Sequence, residues 1–133
     1  MSNANITFIQ SMYAAFSKGD IATIIANVTP DVDWRVTGSR QDFPTMGDWR
    51  GQAELKKFFD AISQHQEPRE FTPKEFFAAD DHVFVIGHYD WKIRKTGRTA
   101  ASDWVHIFTI RDGKVVKFRE FNDTAKFAEA YRD

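Results

Sequence analysis

The chain contains no cysteine, which excludes disulfide cross-links, thiolate metal sites and cysteine nucleophiles. It has no apolar run near the roughly 20 residues that a membrane-spanning helix needs, and residues 1–5 lack a basic segment leading into an apolar core. A cytoplasmic protein with no membrane partner is expected. Neither sign of charge is in excess, with 18 Lys and Arg against 19 Asp and Glu, so nothing argues for a nucleic-acid partner. No phosphate-binding glycine loop, dinucleotide fingerprint or nucleophile elbow is present. His65, His82, His88 and His106 show no metal-ligand spacing with a carboxylate. No metal and no cofactor are therefore expected.

What the chain does have is apolar bulk. At 133 residues, with 42% hydrophobic and 15% aromatic side chains, it fits one folded domain over 1–133 with a useful core. Asn3 or Asn5 is placed to cap a first helix with Ile6, Ile9, Tyr13 and Phe16 on one side, stopped at Lys18-Gly19. Asp20 caps a short second helix carrying Ile21, Ile24, Ile25 and Val28, which Pro30 ends. Residues 32–36 alternate as a strand. The segment 37–50 is rich in Gly, Pro, Asp and Ser yet carries Phe43, Met46 and Trp49, as lids do. A third helix is expected over 52–62, with Leu55, Phe58, Phe59 and Ile62 as its stripe. Strands follow over 70–79, 83–94, 99–110 and 114–122, and Asp123 or Thr124 caps a closing helix with Phe127, Ala130 and Tyr131 on one side.

Two turns allow faces to be counted. A two-residue loop at Thr96-Gly97 pairs Lys95 with Arg98, and hence Ile93 with Ala100, Trp91 with Ser102, Tyr89 with Trp104 and Gly87 with His106. At the second turn, a plain Asp112-Gly113 loop sets His106 opposite Arg119. A three-residue loop with Gly113 left-handed instead sets Phe108 opposite Val116, His106 opposite Phe118, Trp104 opposite Glu120 and Ser102 opposite Asn122. The latter is favoured because it keeps Lys117 and Arg119 off the aromatic face, where an unpaired cation is costly to desolvate. The resulting face, Gly87, Tyr89, Trp91, Ser102, Trp104, His106, Phe118, Glu120 and Asn122, has the character of a pocket wall. The opposite face, with Val105, Ile107, Val115 and Phe121 among Asp90, Lys117 and Arg119, is too apolar for water and too charged for a core, which suits a two-fold homodimer.

The segments SMYAAFSKGD, VTPDVDWRV, WRGQAELKKFF and HIFTIRDGKVVKFREFNDT, in this order, resemble the SnoaL-like branch of the NTF2-like, ketosteroid-isomerase-related superfamily across almost the whole chain. The resemblance implies an α+β, NTF2-like (cystatin-like) cone: a strongly bent, mostly antiparallel sheet packed against three N-terminal helices, with a short C-terminal helix. It also implies pairing through the outer face of the sheet. The steroid-isomerase base position falls at or near Val36, its tyrosine position near Met12 and its aspartate position at His106, so that mechanism is disfavoured. The cyclase members place an acid–base aspartate near Asp123. The epoxide-hydrolase set needs an arginine on the pocket face, and none is placed there.

Candidate catalytic residues are thus His106, Glu120 and Asp123, with Met12, Trp34, Val36, Trp49, Tyr89, Trp91, Trp104, Phe118 and Asn122 as candidate pocket residues. Each has a plainer role open to it. His106 is either functional or a satisfied core histidine, and Glu120 must meet water, His106 or the Trp104 indole N–H. Asp123 is either an acid–base group or a helix cap. Arg50 either shapes a helix entry or meets an anion, and the aromatic residues are either walls or core. Two functions follow: a cofactor-independent isomerase, cyclase or hydrolase acting on a small, largely apolar molecule by His–carboxylate proton transfer, or a non-catalytic ligand-binding or protein-interaction domain.

Overall fold

A computed structural model describes residues 2–133, with side chains from residue 4 onward. The elements run α1 (Ser2–Ser17), α2 (Ile21–Ala26), β1 (Val28–Val36), β2 (Gly47–Arg50), α3 (Gly51–His65), β3 (Gln66–Ala79), β4 (His82–Ile93), β5 (Thr99–Arg111), β6 (Lys114–Phe121) and α4 (Thr124–Tyr131). One sheet takes the order β2-β1-β6-β5-β4-β3, antiparallel throughout except where β1 joins β6. Helix α1 lies against β3 and α3 against β1. This is the α+β architecture that the order of elements implies.

Local chemistry sets the boundaries. The Asp20 side chain accepts the Thr23 N–H and so caps α2, and Asp123 does the same for Lys126 at the start of α4. Helix α2 has already turned at Asn27, so Pro30 sits inside β1 rather than ending the helix. Asn5 lies inside α1 and does not cap it, while the alternative cap, the Asn3 side chain, lies outside the described residues. Strand β3 begins at Gln66, earlier than its two prolines suggest. Pro68 and Pro73 each adjoin a register shift against β4, and β3 is an edge strand, where a missing N–H is tolerated. Segment 37–50 is no free loop. Its last four residues form β2, and Phe43 and Met46 are 1% exposed.

Both hairpins differ from the expected registers by two residues, an even slip that leaves the side chains of β4, of β5 and of β6 from Lys117 onward on their expected faces. At the first, Ile93 and Arg98 close a four-residue loop in which the Gly97 N–H bonds back to the Ile93 carbonyl with Gly97 at φ +76°. Tyr89 therefore meets Ser102, and His106 meets Val85. At the second, Asp112 (φ +53°) and Gly113 (φ +75°) form a two-residue turn, and a bulge between Thr109 and Ile110 absorbs Val116. His106 consequently faces Glu120 directly, and Phe108 faces Phe118. The bulge also turns Val115 inward, where it is fully buried rather than on the outer face.

Gly87 has a steric reason to be glycine: a Cβ there would overlap the Trp104 indole, which is 1% exposed and has nowhere to move. Gly87→Ala is expected to cost about 1–3 kcal/mol by overpacking. Chemical denaturation of the two proteins checks this, and an unchanged midpoint would show that the indole can move aside.

Candidate functional site

The inner face of the sheet, closed over by α1, α3, α4 and the 37–46 segment, surrounds a cavity with about 80 Å³ open to the centre of a water molecule. That is several times the roughly 10–15 Å³ one water requires. The walls are mostly aromatic and aliphatic, and one group of polar side chains is set into them. Strand alternation delivers His106 from β5 and Glu120 from β6 as direct neighbours. The His106 Nε2 lies 2.9 Å from Glu120 Oε1. On the other side of the ring, Nδ1 lies 2.7 Å from the Tyr13 hydroxyl of α1. The second carboxylate oxygen accepts from the Tyr89 hydroxyl at 2.8 Å and from Asn122 Nδ2 at 2.9 Å. Asn122 also donates to the Tyr89 oxygen at 2.7 Å.

Burial, the largest single influence on Glu120, pushes its pKa up. The hydrogen bond and charge of His106, with the hydrogen bonds of Tyr89 and Asn122, outweigh it and hold the carboxyl below its ordinary range. Burial, reinforced by the charge of Glu120, raises Tyr13 and Tyr89 well above the ordinary phenol value. Both phenols therefore stay protonated at neutral pH. An ionised carboxylate only accepts, so the Nε2 proton points at Glu120, and in a neutral imidazole Nδ1 is left to accept from Tyr13. Trp104 stacks on the His106 ring at 3.9 Å between centroids and fixes its plane.

Of the candidate residues, His106 and Glu120 come together on the cavity, and Met12, Trp34, Val36, Tyr89, Trp91, Phe118 and Asn122 line it. Three stand elsewhere. Asp123 is exposed and occupied as the cap of α4, so it cannot reach the cavity. Trp49, the cross-strand partner of Trp34, is on the inner face but packs behind Phe58 and does not reach the cavity, with Arg40 stacked on its ring at 3.9 Å and its Nε1 donating to the Thr45 carbonyl. Trp104 is a backing wall behind His106 rather than lining. Arg119 lies on the outer face, where it pairs with Asp33 at 2.9 Å, in keeping with a cavity that has no arginine.

Counting faces missed Tyr13, which takes the place expected near Met12. Its signal was present: it is the one hydroxyl-bearing residue in the Ile6, Ile9, Tyr13, Phe16 stripe. Thr45 and Gln66 also line the cavity, both nearly sealed from solvent, and no pattern in the sequence marks them.

The SnoaL-like domain family model matches residues 9–118, a span that includes Tyr13, Tyr89 and His106 of the hydrogen-bonded group and stops just short of Glu120 and Asn122. The chain belongs to the SnoaL-like domain family. Solved structures share its fold end to end. An NTF2-like protein of unknown function from Burkholderia pseudomallei K96243 is 27% identical over 100% of both chains, with a TM-score of 0.89. An NTF2-like protein from Burkholderia xenovorans LB400 is 30% identical over 99% of this chain and 98% of its own, with a TM-score of 0.90. TerC, whose crystals were grown with polyporic acid, is 32% identical over 97% of this chain and 98% of its own, with a TM-score of 0.84. No curated protein matches the SnoaL-like chain in sequence.

The lowered Glu120 pKa has a consequence for stability. A carboxyl depressed by folding adds stability that is complete above its unfolded value, ordinarily near 4.5, and that is lost as pH falls through the lower folded value. Glu120→Gln is expected to cost about 1–3 kcal/mol at pH 7 by mispairing buried donors, with the gap to the native protein closing below about pH 4.5. Urea titrations at a series of pH values measure it, and a gap independent of pH would contradict the assignment.

Proposed function

We propose that this SnoaL-like domain is a cofactor-independent proton-transfer catalyst, of the isomerase or cyclase kind, for a small, largely apolar molecule with an enolisable carbonyl or phenolic oxygen. The observation that carries it is the unbroken chain Tyr13 Oη–His106–Glu120 at 2.7 and 2.9 Å, set in the wall of an aromatic cavity. Structural ion pairs also occur in cores. Here, however, the chain ends at a hydroxyl that lines open space, which a purely structural pair does not need.

Both ring nitrogens of His106 are engaged, so the histidine acts through Tyr13. When the oxygen of a bound enol or phenol gives its proton to Tyr13 Oη, the tyrosine O–H proton passes to His106 Nδ1. One substrate O–H bond breaks, one Nδ1–H bond forms, and the imidazolium is neutralised in place by Glu120. The substrate is left as an enolate or phenolate that accepts the Tyr13 O–H, now held by the charged His106. Return of the proton along the same path to a substrate carbon completes a tautomerisation. Tyr13 relays the proton and does not reside as tyrosinate, in accord with its raised pKa. Asp123 has no part, because it caps α4.

The compound grown into TerC crystals supports an aromatic, oxygen-bearing ligand, and polyporic acid heads the probe panel with ketones, lactones and polycyclic phenols. Thermal shift identifies ligands, and solvent-deuterium exchange into their acidic C–H positions, followed by NMR, reads proton transfer. Tyr13→Phe and His106→Gln are each expected to lower the exchange rate about 10²-fold or more while retaining ligand stabilisation. Binding without any exchange by the native protein would favour a ligand-binding domain over an enzyme.

We also propose that the outer face of the sheet seats a second copy of the chain. Ile86, Val105 and Phe121 align across β4, β5 and β6, with Ile86 38% and Phe121 47% exposed, a row of apolar surface that a two-fold partner would cover. Light scattering at micromolar concentration is expected to give twice the chain mass, and a monomer would overturn the pairing.

A further inference from the structure

Gln66 is a polar side chain that the proton chain does not use. It opens β3, is only 5% exposed to solvent, and lines the cavity. Its one side-chain hydrogen bond among the described residues is accepted by Oε1 from the Thr45 hydroxyl, at 3.2 Å. The Nε2 group donates to nothing, yet it is not among the unpaired polar atoms sealed within the packing, which are Thr29 Oγ1, Trp34 Nε1, Asp90 Oδ1, Trp104 Nε1 and Asn122 Oδ1. The open space that Gln66 borders is the cavity. A buried amide N–H left without an acceptor is costly and calls for a partner.

The position of this amide relative to the first polar group follows from the strands. Gln66 pairs with Ile93, and Tyr89, which hydrogen-bonds Glu120, lies four residues back along β4, roughly 13 Å of strand. The Trp91 ring occupies the stretch between, in T-shaped contact with Phe71, the residue opposite Tyr89, and both rings line the cavity. The cavity thus has two polar ends separated by about two aromatic rings. One end moves protons, and the other offers an amide donor.

We infer that Gln66 Nε2 is a specificity-determining donor to a second oxygen of the ligand, and that the ligand class is a two-ring aromatic carrying an enolic or phenolic oxygen at one end and a carbonyl acceptor at the other. This rests on the function proposed above for the same cavity. Thr45 belongs to the segment that closes over the cavity, so its hydroxyl, by holding Oε1, orients the amide and aims Nε2 inward. Gln66 positions the ligand and moves no proton.

The test uses 4-hydroxybiphenyl and 4-acetyl-4′-hydroxybiphenyl, which differ by the far carbonyl, with affinities read by calorimetry and by quenching of the wall tryptophans. The native protein is expected to prefer the acetyl compound by about tenfold, the range of one neutral hydrogen bond. Gln66→Met, similar in shape and without the donor, is expected to abolish that preference while leaving 4-hydroxybiphenyl affinity within about twofold. Gln66→Glu, which turns donor into acceptor, is expected to disfavour the acetyl compound. An unchanged preference in Gln66→Met overturns the Gln66 assignment and leaves the proposed function standing. Failure of the native protein to bind either compound overturns the two-ring ligand class, and the proposed function then stands or falls on the deuterium-exchange panel.

Discussion

A negative charge held inside an aromatic cone governs much of this molecule. Glu120 sits where desolvation alone would neutralise it, and it remains a carboxylate because His106, Tyr89 and Asn122 each give it a hydrogen bond. Those donors come from β5, from β4 and from the end of β6. The charge can persist only if three strands keep their register to within one residue, since a slip of one would turn the carboxylate outward. The bulge beside Val116 sets that register, placing Glu120 opposite His106 while letting Val115 point into the core.

Around the charge, packing leaves little freedom. His106 is held between the Trp104 indole at 3.9 Å and the edge of Phe118 at 4.8 Å, and Trp104 in turn occupies the space above Gly87. Stacked and edge-on rings of this kind fix orientation as well as burying area. The imidazole is therefore presented to Tyr13 at a set angle, with ring planes 7° apart. The hydrogen bond between them links α1 to the sheet. The same contacts that stabilise the fold thus fix the geometry of the Tyr13–His106–Glu120 hydrogen bonds, and the aromatic residues act as wall and as core at once.

The cavity is polar at two places for different physical reasons. At one, a charge needs donors and is held by His106, Tyr89 and Asn122. At the other, an amide is buried with half of its capacity unused. Between them the walls are apolar, so a ligand of the proposed kind would be held there by area and oriented by its oxygens.

Alternation along the strands after residue 80 was enough, by itself, to place His106, Glu120, Tyr89 and Asn122 on one face, because a period of two survives any even error in turn length. Capping chemistry likewise located the starts of α2 and α4, and the apolar stripe of α3 could be read directly. The pairing of His106 with Glu120 was one of three partners open to the carboxylate and could not be chosen, because the β5–β6 register depends on a bulge that no residue type announces; the four-residue loop, where Gly97 suggested two, likewise shifted the β4–β5 register. Tyr13 carried only the signal of a hydroxyl in an apolar stripe, and Thr45 and Gln66 carried none, since each arrives from another element at a site that exists only once helix, sheet and closing segment meet. Asp123, Trp49 and Trp104 carried the right chemistry in the wrong place: a helix start, an arginine and a neighbouring ring claimed them. The sequence determined which side chains face inward, because local backbone geometry decides that. Tertiary structure decided which of them touch, because contact depends on register and curvature summed over the whole sheet.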